Sequence, residues 1–282
     1  MSFLSKTFRY VNENGESITF TYNNGFLINK PIGIDTLQVS LSLATGIDQV
    51  GAMIQSSNVQ PRPVTISGVL VGEWQSHNKN KLLSVVRPDL TAKLYADDYY
   101  LNVRPTYTPT IEPFPKFAEF QFSVLAAYPY WQMDENAKVE LSAIEYGFKF
   151  PWNISKEYFF GRIVEAQFFT IVNNGQLPVP FTVTFYARGD CVNPKITSVN
   201  TGKFMAINKT LIAGERVVVE LTHDRTYVTS SVDGDIRGAL SLKSTFNRLE
   251  VGDNVLKPEA EEGGKQLEVS VDFATEIVGI SL

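Results

Sequence analysis

The sequence predicts a mainly β protein of two unlike domains, and three observations lead to this prediction. The chain has 282 residues, enough for about two domains of roughly 150 residues each. Short segments in which apolar and polar residues alternate, separated by Gly, Pro, Asn and Asp, recur along most of its length. Only one segment has a convincing helical period, and the alternation fades once, over residues 132–163.

The N-terminal half contains a predicted hairpin and two further clear strands. Ser17–Tyr22 alternates, Asn23–Gly25 is a turn sequence, and Phe26–Ile28 begins the return strand. Leu37–Leu43 and Val64–Val71 alternate in the same way. We expect each of these two strands to place one apolar face on a core.

The single sizeable helix is predicted at residues 74–86, and Pro88 ends its pattern. Its inward face is formed by residues near helical spacing, namely Trp74, Asn78, Leu82, Val85 and Val86. Strand signals resume at residues 91–95, 99–103 and 117–126. Between the last two of these strands lie Pro105, Pro109, Pro113 and Pro115. Because proline removes a backbone donor and resists helix, we predict an extended or mobile loop there.

The C-terminal half returns to alternation after residues 132–163. Eight short strands are predicted, at 167–173, 179–187, 196–199, 204–208, 216–222, 226–231, 248–251 and 267–273. Strands of this length and spacing are typical of a β-sandwich or a jelly roll. We therefore place a first domain at residues 1–135, a linker at 136–163 and a second domain at 164–282.

Composition argues against several classes of protein. The chain has 25 Lys and Arg against 30 Asp and Glu, a net charge of -5, which disfavours binding to a nucleic-acid backbone. The single cysteine, Cys191, cannot form an intrachain disulfide or supply a zinc site by itself. We expect it to be a small buried residue. The first residues lack the pattern of a classical export signal, and no apolar run is long enough to cross a membrane, so we expect no membrane insertion.

Motifs that carry chemistry are sparse, and we predict no catalytic, cofactor-binding or metal-binding residue. The two histidines, His77 and His223, stand in no recognisable motif. Asp233–Asp235 resembles the start of a calcium loop but lacks the distal ligands, so a turn is the better interpretation. Asp97–Asp98 and Glu261–Glu262 are adjacent carboxylates, and neighbouring residues of a strand point to opposite faces. Neither pair has a partner that suggests a site, so we interpret both as solvated charges.

Aromatic residues concentrate near the predicted domain junction, and two interpretations of them stay open. The cluster comprises Phe148, Phe150, Trp152, Tyr158, Phe159 and Phe160. Such side chains can form a platform for a sugar, or they can pack between domains or subunits. Trp152 is the residue we single out as a contact for a sugar or a protein partner.

The order of motifs resembles that of siphophage distal tail proteins, often called Dit. In the second half the carrying segments follow one another as Asn173–Phe185, Asn193–Thr197, Thr201–Lys203 and Leu211–Val219. The first of them contains an Asn-Gly turn, a Pro-flanked apolar pair and an alternating strand. The first half agrees through Gly25–Ile28, Arg62–Gly68 and Ala127–Trp131.

This resemblance implies a fold and an assembly. It implies an N-terminal β-rich domain with one helix, six copies of which assemble into a ring, and a galectin-like β-sandwich that projects outward. It also implies that the chain end, residues 275–282, can return to the first domain. Because extended, proline-containing loops reach far at low ordering cost, residues 105–115 are a candidate arm for the ring.

The resemblance also implies a function and partners. The expected role is a structural hub at the distal end of the virion tail, made in the cytoplasm of the bacterial host and without enzymatic activity. Its expected partners are further copies of itself, the tail-tube protein, a tail-associated lysin or fibre, and a receptor-binding protein. The alternative is a carbohydrate-binding module of a tail or cell-wall-associated protein, in which exposed aromatics such as Trp152 stack on sugars. The label "galectin-like" describes a fold and does not confer sugar binding.

Overall fold

A computed structural model describes residues 7–71, 75–134, 137–140, 143–145, 162–164, 168–246 and 248–281. The chain divides into two units, Met1–Asp134 with Glu276–Leu282, and Glu135–Thr275. The strands of both units pair antiparallel, and the described residues contain one α-helix. The predicted mainly β class with two domains is confirmed. Most of the predicted linker at 136–163 lies outside the described residues.

The strands and the helix have the following bounds. The first unit contains β1 Phe8–Asn12, β2 Ser17–Phe20, β3 Phe26–Ile28, β4 Val39–Ala44, β5 Met53–Val59, β6 Arg62–Leu70, α1 Gln75–Val85, β7 Ala92–Ala96, β8 Tyr99–Pro105, β9 Thr110–Pro113, β10 Ala118–Ala126 and β11 Trp131–Met133. The second unit contains β12 Ala137–Glu140, β13 Ala143–Glu145, β14 Arg162–Val164, β15 Phe169–Asn173, β16 Thr182–Ala187, β17 Cys191–Val192, β18 Lys195–Ser198, β19 Phe204–Ala206, β20 Thr210–Leu211, β21 Arg216–Leu221, β22 Thr226–Ser230, β23 Gly234–Asp235, β24 Gly252–Glu259 and β25 Leu267–Phe273. The last strand, β26 Glu276–Ile277, belongs to the first unit again.

The first unit is built on a ten-stranded sheet with the order β2-β1-β7-β8-β10-β6-β3, to which β9, β11 and β26 are added. Every second side chain of β10 is buried, as the two-residue period of a strand requires. Aromatic rings fill the middle of the core. Neighbouring ring centres lie 6.0 to 6.4 Å apart among Phe20, Phe26, Phe120 and Phe122.

Helix α1 covers part of this core and lies close to its predicted span. Leu82, Val85 and Val86 are buried in the cluster that contains the sheet residues. Asn78 is buried too, and its Nδ2 donates a hydrogen bond to the carbonyl oxygen of Asn24 at 3.1 Å. The predicted inward face is therefore correct over these residues, while Trp74 lies outside the described part of the chain.

The guanidinium of Arg62, at the start of β6, is the most heavily bonded buried charge of the first unit. The residue is 1% exposed, and its side chain donates to four backbone carbonyl oxygens. Nε donates to Pro129 at 2.6 Å, and Nη1 donates to Gly33 and Ile34 at 2.9 and 2.8 Å. Nη2 donates to Val278. One side chain thus joins three segments that are far apart in sequence to β6.

The carbonyl oxygen of Ile34 accepts further hydrogen bonds at the same place. Besides the guanidinium it accepts hydrogen bonds from Trp131 Nε1 at 3.0 Å and from the backbone N–H of Ile280 at 3.1 Å. Gly33 has a φ of +91°, and a Cβ at this position would lie 2.1 Å from the carbonyl oxygen of Pro63. Only glycine permits this approach. We call this arrangement the Arg62 junction.

The prediction for Leu37–Leu43 is partly wrong. The strand forms, as β4, but its apolar side chains do not lie on a core, because Leu41 is 50% and Leu43 58% exposed. Val64–Val71 behaves as predicted, with Val64, Ile66 and Leu70 fully buried in β6. Alternation identifies an apolar face but does not tell what covers that face.

The prediction of a loop at residues 105–115 is partly wrong, while a role of this segment in the ring stays a prediction. Strand β8 continues to Pro105, and β9 occupies Thr110–Pro113 and pairs with β10. The connection between them is held as well, because the backbone N–H of Thr106 donates to the carbonyl oxygen of Ser123 at 3.0 Å. Pro105 and Pro113 end strands, where a missing ladder donor is tolerated, and Pro109 and Pro115 lie between strands.

The second unit is a β-sandwich. One sheet has the order β12-β25-β16-β21-β22-β23 and the other has the order β15-β24-β18-β19. Side chains of both sheets, such as Phe185 and Val219 from the first and Ile196 and Leu256 from the second, share one hydrophobic core. Cys191 lies in this core, and burial raises the pKa of its thiol to about 11. The prediction of an unreactive buried cysteine agrees with this environment.

A buried carboxylate, that of Glu215, ties the loops of the second unit together. Its Oε1 accepts hydrogen bonds from Lys209 Nζ and from Ser230 Oγ, the latter at 2.6 Å. Its Oε2 accepts from the backbone N–H of Ile212 at 3.2 Å. Burial raises the pKa of Glu215, but the hydrogen bonds from Lys209 and Ser230 outweigh this effect, and the pKa lies below its ordinary value.

We predict that Arg62→Met destabilises the first unit by about 3–5 kcal/mol, because it leaves several buried carbonyl groups without a donor. The measurement is urea-induced unfolding. Arg104→Met is the matched control, because Arg104 also donates to two carbonyl oxygens, of Pro88 and Asp89, but at an exposed position. Its expected cost is within about 0.5 kcal/mol. Equal effects of the two substitutions would contradict a special role for Arg62.

We predict that Glu215→Gln flattens the acid dependence of the stability of the second unit. Because the folded pKa is lowered, the ionised carboxylate stabilises the fold above the ordinary pKa of 4.5, and this contribution is lost as the pH falls through the folded value. Denaturant unfolding at a series of pH values measures the slope. Glu220→Gln, at an exposed position of β21, is the control and should keep the wild-type slope. An unchanged slope in Glu215→Gln would refute the prediction.

Candidate assembly surface

Strands β4 and β5 form a two-stranded sheet that pairs with no other described strand. Val39 lies opposite Val59 and Ala44 lies opposite Met53, with a β-bulge after Ser42. The turn between the strands contains Asp48 at a φ of 61° and Gly51 at a φ of 85°. An isolated two-stranded hairpin is at best marginally stable in water. We refer to residues 39–59 as the arm.

The arm has one apolar and one mostly polar face. Residues opposite each other in an antiparallel pair share a face. One face carries three cross-strand pairs, Val39 with Val59, Leu41 with Ser57 and Leu43 with Ile54. The other face carries the pairs Ser40 with Asn58, Ser42 with Ser56 and Ala44 with Met53. All five apolar side chains of the first face are classed as exposed or intermediate, and none belongs to the core of the first unit.

The scarcity of charged residues in the arm indicates that another molecule covers its apolar face. Exposed edge strands are normally protected by charged side chains, above all lysine. Between residues 39 and 59 the only charged residue is Asp48, in the turn. Two further apolar side chains of this turn, Ile47 and Val50, are fully exposed. A contiguous exposed apolar surface of this kind marks an interaction site.

A shallow groove lined by residues of β1, β7, β8 and β10 is a second surface of the first unit. Its volume is about 430 Å³. The apolar part of its lining includes Val11, Val103 and Leu125, and Leu125 is 40% exposed. Its lining also contains the cations Lys93 and Arg104 and the carboxylate of Glu13. The groove uses none of the residues of the arm, so the first unit offers two unlike surfaces.

Two cationic side chains lie over tyrosine rings of β7 and β8. Arg9 lies over the ring of Tyr95 at 4.3 Å from its centre, and Lys93 lies over the ring of Tyr100 at 4.1 Å. The two rings are opposite each other on β7 and β8, with their centres 5.8 Å apart. Cross-strand contacts of this kind stiffen a sheet face. Of these four side chains, only Lys93 lines the groove.

The other residues considered from the sequence form no site in the described part of the chain. Trp152 and the aromatic cluster around it lie outside the described residues, so their role stays a prediction. His77 is exposed and His223 half-buried, on separate units. Gly234, in the Asp233–Asp235 segment, has the positive φ of a turn. Among the described residues no group of three or more His, Cys, Asp or Glu is placed to hold a metal ion, and no helix is long and apolar enough to cross a membrane.

Sequence reasoning did not identify the arm as a functional surface. Leu37–Leu43 was predicted to be a core strand because alternation looks the same whether the apolar face is covered by the chain itself or by another molecule. A signal was present nevertheless. The charge-poor character of residues 39–59, in a chain of which 20% is charged, separates this segment from an ordinary surface hairpin.

The second unit resembles a domain of a known protein family. Residues 174–276 match the family model described as the siphovirus-type tail component, C-terminal domain. No curated protein sequence matches the chain.

Two solved structures share the fold over almost the whole chain. One is the Dit protein (gp 19.1) of phage SPP1, described as a paradigm of the hub adsorption apparatus in phages that infect Gram-positive bacteria. It is 12% identical with a TM-score of 0.69, and the match covers 95% of this chain and 98% of that chain. The other is from the baseplate of phage P2 in its activated conformation with Ca, 9% identical with a TM-score of 0.50, covering 98% and 100% of the two chains. Together with the family match, the shared fold confirms the resemblance to siphophage distal tail proteins.

We predict that the apolar face of the arm contributes almost nothing to the stability of the dilute protein. Leu41→Ser should change the free energy of unfolding by no more than about 0.5 kcal/mol, because the side chain is half exposed. Ile66→Ala, at a fully buried position of β6, should cost about 2–5 kcal/mol. Urea unfolding at low protein concentration measures both. A comparable loss in Leu41→Ser would mean that this face is covered by the same chain.

Proposed function

Since residues 174–276 carry the C-terminal domain of siphovirus-type tail components and the chain has the fold of a distal tail protein, we propose that it is a structural hub of a phage tail tip. Copies of the chain close into a ring that joins the tail tube to the host-recognition apparatus. The observation that supports this most directly is the exposed, charge-poor apolar face of the arm.

The arm suits contact with a second copy of the chain. A ring needs a heterologous interface, in which one surface of a subunit meets a different surface of the next. The rotation from each subunit to the next must also add up to a full turn, so that the last subunit meets the first. The first unit provides two such surfaces, the apolar face of the arm and the groove at Val11, Val103 and Leu125. We propose that the arm of one copy packs against the groove of its neighbour. This contact would cover Leu41 and Leu43, which the isolated chain leaves in water.

The number of copies and the partners follow from the family resemblance. We propose six copies in the ring, with the tail-tube protein on one side and the tail-associated lysin or fibre and the receptor-binding protein on the other. The place of action is the distal end of the virion tail, after synthesis in the host cytoplasm. Such a hub works by shape and by several simultaneous contacts, which raise overall affinity without any single strong site. It needs no catalytic group.

The first test is the solution mass of the full chain, measured by light scattering over a concentration series. We expect a species of six subunits, seen as rings by negative-stain electron microscopy. Leu41→Lys places a charge on the apolar face of the arm and should yield monomer. Ser40→Lys, on the opposite face of the same strand, is the matched control and should keep the wild-type mass. A wild type that stays monomeric at every concentration would refute self-assembly.

A second variant tests the acceptor surface. Leu125→Glu places a carboxylate in the groove, and we expect it to prevent the ring as Leu41→Lys does, because both remove the apolar contact. A ring that persists in Leu125→Glu but is lost in Leu41→Lys would show that the arm packs elsewhere.

A further inference from the structure

A cavity of about 310 Å³ lies in the second unit, at the edge of the four-stranded sheet. Its floor is formed by strands β24, β18 and β19. Lys195 of β18 lies opposite Glu259 on one neighbouring strand and opposite Ala206 on the other, so these residues share the face that lines the cavity. The volume is at the lower end of the range of about 300–1,000 Å³ that is typical of small-molecule sites.

The cavity has an aromatic surface. Phe204 of β19 is half-buried, and the Nζ of Lys195 lies 5.7 Å from the centre of its ring. Although β19 is an edge strand, its outer side is held in place, because the backbone N–H groups of Thr245 and Phe246 both donate to the carbonyl oxygen of Phe204, at 2.9 and 3.1 Å. The ring is thus presented by an ordered backbone.

Hydrogen-bond donors and acceptors surround the ring of Phe204. Glu259 accepts from Lys195 and Lys257, with N–O distances of 3.0 and 2.6 Å. Burial raises the pKa of Glu259, but its bonds to the two lysines lower it more, so the carboxylate stays ionised. The Nδ2 of Asn193 donates to Glu261 at 2.8 Å. These contacts fix charged donors and acceptors before any ligand arrives.

The rest of the lining includes two uncharged polar side chains, those of Asn208 and Ser241. Asn208, whose amide offers a donor and an acceptor, is exposed at the mouth of the cavity, and Ser241 lies beside it. The lining is neither apolar enough for a hydrophobic ligand nor basic enough for a phosphate, because Glu259 and Glu261 both face the cavity. A ligand that fits must combine an apolar ring face with many hydroxyl groups at its rim.

From this combination we propose that the cavity binds a neutral saccharide. One face of the sugar ring lies on Phe204, and its hydroxyl groups bond to Asn208, Glu259 and Lys195. This site lies wholly in the second unit and uses no residue of the arm or the groove. The proposal therefore does not depend on ring formation. Absence of sugar binding would not argue against the ring, and absence of the ring would not argue against sugar binding.

The test is saturation-transfer NMR on the full chain with three probes, namely glucose, galactose and N-acetylglucosamine. We expect transfer to the ring protons of at least one of these sugars, and a titration that gives a dissociation constant in the millimolar range. Phe204→Ala should weaken binding about tenfold, which corresponds to roughly 1.4 kcal/mol. Asn208→Ala, at an exposed position that leaves the core intact, should weaken it several-fold and serves if Phe204→Ala fails to fold.

Tyr227→Ala is the matched control. Tyr227 is an exposed aromatic residue of the same unit with a cation over its ring, since Arg237 lies 5.5 Å from the ring centre, but it does not line the cavity. This variant should bind sugar like the wild type. Absence of transfer to all three sugars, or equal transfer in the wild type and Asn208→Ala, would overturn the proposal. Light scattering on the same variants should give the wild-type mass, so loss of sugar binding is distinguishable from loss of the ring.

Discussion

The first unit depends on a buried guanidinium. The side chain of Arg62 donates to backbone carbonyl groups, and burial lowers its pKa while the charge of Asp35 acts in the opposite direction. Because arginine keeps its proton even so, the dipoles of the surrounding carbonyl groups help to balance its charge. Those carbonyls belong to residues 33–34, to Pro129 and to Val278, so the charge is satisfied only when all three segments have come together. The junction explains why residues 276–282 are part of the first unit although the second unit precedes them in sequence.

The core of the first unit, to which the Arg62 junction ties the chain end, is complete without the arm, since no residue of β4 or β5 belongs to that core. The arm leaves the body between Gly33–Ile34 and Arg62, so both of its ends are anchored at the junction. A hairpin that is anchored at its base and uncovered along its length can present an apolar face to a neighbouring subunit without weakening its own domain. The second unit shows the opposite arrangement, in which a buried carboxylate, Glu215, is neutralised by a neighbouring lysine and holds loops together.

Much of the architecture was predictable, because it rests on local pattern. The inward face of helix α1, the buried face of β6 and most sandwich strands of the second unit follow from periods of two or 3.6 residues. The hairpin predicted at residues 17–28 does not form, because β2 pairs with β1 and β3 pairs with β6 at the other end of the sheet. The strand predicted at 248–251 is also displaced, since β24 spans Gly252–Glu259. The order of short motifs from Asn173 to Val219 suggested a resemblance to the tail-protein family, and the model of that family's C-terminal domain matches residues 174–276. Two further errors have different causes. At Leu37–Leu43 the alternation was identified correctly, but the apolar face is not covered by the same chain. At residues 105–115 the prolines suggested a loop, whereas β9 pairs with β10 there.

The sequence by itself determined the secondary structure of most elements, the two-domain mainly β class and the lack of a recognisable catalytic motif. Only the tertiary structure decided which apolar faces are covered, that Arg62 is a buried junction, and that Phe204, Asn208 and Glu259 line one cavity. The physical reason is that alternation and turn chemistry are properties of a few consecutive residues. Burial and the neighbours of a charged group depend instead on segments that are up to 216 positions apart, as Arg62 and Val278 are, and a single sequence contains no direct record of such contacts.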